Sequence, residues 1–293
     1  MNFSKTLLLI LISLFSINIS SAQNESKKLQ EVITQVQDHK SYDREKFPLG
    51  LYTAEFYRRE ALFAKERSKE LEVIQKDSLN PSEQISAELL KFKLKEAVDF
   101  YEYDAYLNPL LSDAGFHVSL PYHVRDLANY DQVKTYLNKL NAIPVYVDQH
   151  LVLLREGIQK GITQPRVIFK GYDATYNDQI VKDFEESYYY SPFKNLPSSL
   201  SAQQKDSVLA AAEIAVKKNV IPEFKRIKNF FENEYLPKAR TSVGVSEIPN
   251  GRKYYQNRLD YYTTLNLTAE QVHQIGLDEV SRINSEMKKI IAE

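Results

Sequence analysis

An all-α fold, with at most a minor sheet, is predicted by three observations. Apolar residues recur at helical rather than alternating spacing through most of the chain. Helix-start signals stand ahead of those runs at Asn80, Asn129, Ser201 and Thr268. No stretch shows the sustained period-two alternation of a strand.

Composition narrows the function. The chain has 293 residues, 43% hydrophobic and 26% charged, which is ordinary for a globular protein with its own core. Thirty-eight basic residues balance 39 acidic ones, so no cationic surface is available for a polyanion and nucleic acid is not an expected partner. The absence of cysteine excludes disulfides, thiol catalysis and a lipid-acceptor thiol. Twenty tyrosines and 14 phenylalanines without tryptophan suit helix packing.

The elements follow in order. Residues 1–22 carry Lys5, an apolar run from Leu7 to Ile19 and small residues Ser20, Ser21 and Ala22. This is the pattern of a secretory signal peptide cleaved after Ala22, leaving a secreted or periplasmic chain over residues 23–293 with no membrane attachment after cleavage. Leu29, Val32, Ile33 and Val36 predict a helix from Gln23 to about His39. Ser41 to Gly50 reads as a loop. Leu51 to Gln75 reads as an amphipathic helix through Phe56, Leu62, Phe63, Leu71 and Ile74. Asn80, Pro81 and Glu83 together supply a cap, a first-turn proline and an acidic third position for a helix to about Tyr106. Asn108 to Asn129 lacks periodicity, and an aperiodic stretch of this length is the first place to look for a cleft. Asn129 and Gln132 open a helix that Pro144 is expected to kink or restart, giving a helix pair ending at Gly157 or Gly161. A helix is expected somewhere within Tyr176 to Tyr190. Ser201 and Gln204 start another, interrupted or bent at Pro222 and stopped by Pro237. After the turn at Pro249, Asn250 and Gly251 comes a tyrosine-rich helix. Thr268 and Gln271 then cap a last helix whose stripe of Val272, Ile275, Val280, Ile283, Met287 and Ile290 requires a partner surface.

Catalytic motifs are few. None of His39, His117, His123, His150 and His273 belongs to an H-E-x-x-H pair, and G-x-S-x-G and Gly-rich phosphate loops are absent. His117 and His123 share the aperiodic stretch but lack a visible third ligand. Glu270 and His273 have the E-x-x-H spacing of di-metal bundles but no second copy. No catalytic or metal-ligating residue is therefore assigned. The densest polar-aromatic cluster lies at residues 254–262, with Tyr254, Arg258 and Tyr261 on one helical face and Tyr255, Leu259 and Tyr262 on another. One face packs in the core and the other meets a ligand, so Tyr254, Tyr255, Arg258 and Tyr262 are the candidate substrate-cleft residues.

The same region carries a resemblance. Ile248-Pro249, Gly251, Tyr254-Tyr255, Leu259, Thr263-Thr264, Thr268, Glu270, Val272-His273, Gly276, Glu279-Val280, Arg282-Ile283 and Glu286-Met287 form a pattern similar to the bacterial domain of unknown function 885 family. The segments Tyr130 to Gly161 and Ile221 to Arg240 resemble it too. The resemblance implies a helical protein about twice this length, similar in outline to zinc peptidases whose H-E-x-x-H motif lies in the C-terminal half. It therefore implies that this chain is the N-terminal, non-catalytic half of a secreted peptidase-like protein, forming one wall of a cleft for a peptide substrate. Zinc is implied for the full-length family and no cofactor for this chain, which on its own is expected to be inactive and to associate with itself through the uncovered last helix. The alternative is a short secreted helical protein that binds peptides or a partner without catalysis.

Overall fold

The computed structural model describes residues 23–110 and 115–292, so the expected signal peptide and its cleavage site lie outside the described residues. Among the described residues the architecture is all-α, and extended pairing is confined to two isolated bridges, Leu110 with Gly115 and Pro165 with Arg240.

The first three helices form a bundle of their own. Helix α1 covers residues 23–38, α2 runs Ala54–Glu72 and α3 runs Pro81–Glu102. Leu29 and Val32 of α1 pack with Ala64 and Leu71 of α2 and Leu94 of α3. The buried positions of α2 are Ala61, Ala64 and Leu71, whereas Leu62, expected on the apolar face, is 47% exposed. Small side chains let the helices approach closely, so that Leu62 falls just outside the contact. Glu25 is buried in this bundle, and its carboxylate accepts the Gln75 N–H at 2.9 Å and the Lys28 ammonium at 2.6 Å. Helix α3 ends earlier than expected, where Asp104 turns left-handed at φ 54° and starts a short 3₁₀ turn, Ala105–Leu107.

The larger core is built on α4, Tyr130–Gln159, against α6 (Ala202–Ala215) and α7 (Ile221–Phe230). The expected helix pair is instead one continuous 30-residue helix with Pro144 inside it. Leu140, Ile143, Val147, Leu151 and Leu154 bury one unbroken stripe across the proline, and that burial outweighs the lost i to i−4 hydrogen bond. The helix expected within Tyr176 to Tyr190 is also absent. Helix α5 is a single turn, Ala174–Asn177, followed by 3₁₀ pieces at Phe184–Glu186 and Tyr188–Asn195. Tyr189, Tyr190 and Phe193 all enter the core from the last of these, which also holds Pro192.

Proline at position 222 acts as foreseen, but through a π segment. Val216–Val220 widens to π geometry just before α7, and Phe231–Tyr235 does so again before Pro237. Each inserted residue rotates the following face inward. Val216, Val220, Phe224, Ile227, Phe230, Phe231 and Tyr235 are consequently all buried.

Caps at Asn80, Ser201 and Thr268 form reciprocal boxes, and Asn129 accepts from the Gln132 N–H at 3.0 Å. Replacing Asn80 or Ser201 with alanine is expected to cost about 1 kcal/mol each in urea unfolding. Thr268→Ala should leave the global midpoint unchanged, because the helix that it caps buries no residue against the described part of the chain. A loss at Thr268 equal to that at Asn80 would show otherwise.

Candidate functional site

The tyrosine-rich segment forms α8, Gly251–Thr263. Its start is sterically fixed. Asn250 takes the positive φ of 57°, and a Cβ on Gly251 would sit 1.9 Å from the Val245 carbonyl oxygen. Helix α8 is thereby laid along α3, and a groove of about 280 Å³ remains between them, lined by Phe92, Glu96, Asp99, Asn257, Asp260 and Tyr261 among others.

Beside the groove stands a charge and aromatic sandwich, of which Glu96 and Tyr261 line the groove and Arg258 and Tyr254 do not. The Arg258 guanidinium donates to both Glu96 carboxylate oxygens at 2.8 Å. Its carbon lies 4.9 Å from the Tyr261 ring and 5.6 Å from the Tyr254 ring. The Glu96 hydrogen bonds, opposed in part by burial, hold the Arg258 pKa above its ordinary value. Asn257, which is buried, accepts from Arg258 through its carbonyl and donates to Asp99 at 2.7 Å. Tyr261 stacks on Phe92 with ring centroids 5.0 Å apart. This is a preorganised surface: its donors and rings are already held.

The four cleft candidates divide between the two faces. Tyr254 and Arg258 face α3, and burial raises the Tyr254 pKa. Tyr255 and Tyr262 point away, 45% and 78% exposed. Sequence reasoning missed Glu96, Asp99 and Phe92, which α3 contributes from some 160 positions earlier. No local signal marks them, although their spacing of three and four along α3 identifies one face.

Removal of the guanidinium in Arg258→Ala leaves a half-buried carboxylate without its partner. It is expected to lower stability by roughly 1–3 kcal/mol, with Glu96→Gln costing less because a hydrogen-bonding group remains. Chemical unfolding of both variants checks the order.

The aperiodic stretch after Asn108 packs inward, its described part placing Leu110, Phe116, His117 and Leu120 in the core. His117 and His123 go to different partners. The Thr175 hydroxyl donates to the Tyr172 carbonyl at 2.6 Å, so His117 Nε2 must be the donor to Thr175 at 2.9 Å. His117 Nδ1 is then the unprotonated nitrogen, and it and the Tyr172 hydroxyl are buried without a partner among the described residues. His123 lies half-buried, its Nδ1 3.3 Å from the Lys139 ammonium. His150 Nδ1 donates to the Tyr146 carbonyl at 2.8 Å, and its ring stacks on Phe116 at 4.8 Å. His273 is exposed on the last helix. Among the described residues no group of three or more His, Asp and Glu side chains is placed to hold a metal ion. The described donors do not fit a zinc site.

An all-helical assembly with a small N-terminal bundle, a second core on a long proline-containing helix and a groove between α3 and α8 defines the class. The chain belongs to the bacterial proteins of unknown function of the domain of unknown function 885 family, which it matches over residues 39–293. A solved structure described as the putative lipoprotein from Colwellia psychrerythraea has the same fold, with a TM-score of 0.73 at 17% identity over 92% of this chain and 51% of that one. The chain thus spans about half the length of that protein. No curated protein matches it. No helix of the described residues is long and apolar enough to cross a membrane.

Proposed function

We propose that this chain, exported by its signal peptide, forms the non-catalytic wall of a substrate cleft in a zinc-peptidase-like protein. The observation that carries the reading is the preformed groove between α3 and α8, with stacked aromatics beside unequal charge. Among the lining residues Glu96, Asp99 and Asp260 face a single lysine, Lys95, which is paired with Asp99. Arg258 neutralises Glu96, and among the described residues the Asp260 carboxylate has the Gln256 amide as its one donor, at 2.8 Å. An extended peptide presenting a cationic side chain to Asp260 and its apolar parts to Phe92 and Tyr261 suits that surface. Tyr255 and Tyr262 offer further aromatic contact along the outer face of α8. Catalysis in this reading belongs to the part of the fold that the chain does not span, and the chain contributes binding and orientation.

The test is direct titration of the chain with a fluorescent lysine-containing peptide and with its glutamate counterpart. The basic peptide is expected to bind more tightly, with affinity reduced about tenfold by Asp260→Asn, equivalent to about 1.4 kcal/mol. Equal binding of both peptides, or indifference to Asp260→Asn, would overturn the reading.

A further inference from the structure

Helix α9, Ala269–Ala292, has no buried residue along its whole length. Its apolar residues nevertheless form a seam. Val272, Gly276, Val280, Ile283, Met287 and Ile290 follow one another at steps of four, four, three, four and three, which places them within roughly a 100° arc. Val280 is 59% exposed, Ile283 45%, Met287 53% and Ile290 72%. Alternation of three and four is the spacing of a helix that packs lengthwise on another helix.

Gly276 lies at the middle of this arc. A Cβ there would meet nothing within 4 Å, so no contact of the described chain requires glycine. An interior helical glycine costs roughly 1 kcal/mol relative to alanine, and its use here is a notch that admits a second backbone.

We infer that this seam is the seat of a helix from the other half of the family's fold, the half that the Colwellia structure has beyond the region this chain matches. The family match runs through α9, so the seam belongs to the domain rather than to an appended tail. A second copy suits it poorly. Glu279 and Glu286 both bind Arg282 along one edge of the seam, at 2.9 Å each, and antiparallel two-fold pairing would set that acidic edge against itself. A membrane surface suits it no better, since four carboxylates against three cations leave α9 without the cationic face of an interfacial helix. The inference rests on the chain being part of a larger fold and not on peptide binding in the α8 groove.

The experiment is photo-crosslinking in the bacterium that encodes the protein, with benzoylphenylalanine at Val280 or Ile283 and, as a control on the polar side, at Ser285. Joined peptides are identified by mass spectrometry. Crosslinks from 280 and 283, absent from 285, to a helical peptide of a domain of this family that lies outside the region matched by this chain are expected. Crosslinks to residues 39–293 of another copy, to lipid, to an unrelated protein, or no crosslink from the seam would each overturn the inference. A failed peptide titration would leave these crosslinks untouched, so the two readings fail separately.

Discussion

Phe231→Ala is expected to lower the free energy of unfolding by roughly 3–5 kcal/mol. The ring is fully buried and is the hub of the main core. It stacks on Tyr176 with centroids 5.9 Å apart at 7°, meets Tyr172 at 5.3 Å and His117 at 5.4 Å edge-on or tilted, and touches Phe169, Phe230 and Tyr235. These partners come from three separate stretches of chain, at residue 117, residues 169–176 and residues 230–235, none of which can move alone to fill the cavity. Phe231→Leu should cost less than half as much, because most of the volume remains. Urea unfolding at neutral pH measures both, and a loss below about 1 kcal/mol for the alanine variant would mean that the core collapses around the site.

The second expected result is acid lability set by two buried histidines. Burial pushes the His117 pKa down to about 3, with His150 nearby adding to the effect. Burial also pushes His150 down to about 4, partly opposed by its bond to the Tyr146 carbonyl. The sign follows from the unfolded chain, where both rings titrate near 6.5. Above that pH both states hold neutral rings and nothing is lost. As pH falls through 6.5 the unfolded chain takes up protons that the folded chain refuses, so stability declines until the folded values near 4 and 3 are passed. The loss for each ring is of order 3–5 kcal/mol if the fold persists that far. His150→Phe keeps the stack on Phe116 and should flatten the decline between pH 6.5 and 4 while costing some stability at pH 7. An unchanged slope in that variant would assign the acid sensitivity to other groups.

The sequence by itself determined the helices and where most of them begin. Asn80, Asn129, Ser201 and Thr268 cap as their side-chain chemistry requires, because a cap is a contact between residues three apart and needs no tertiary partner. The spacing of residues 254–262 also separated the inward Tyr254 and Arg258 from the outward Tyr255 and Tyr262, since helical periodicity fixes faces. Only the tertiary structure decided the rest. Pro144 lies inside one helix because a buried stripe on both sides of it outweighs a missing hydrogen bond. Residues 176–190 form only one α turn and 3₁₀ pieces, with Tyr189, Tyr190 and Phe193 delivered to a core made of distant segments. Arg258 found Glu96, and His117 found Thr175, across separations of 162 and 58 residues, where no local pattern constrains the pairing. A local rule reads contacts that chain connectivity already brings together, whereas burial is settled by whichever distant surfaces fit, and that is visible only in the folded molecule.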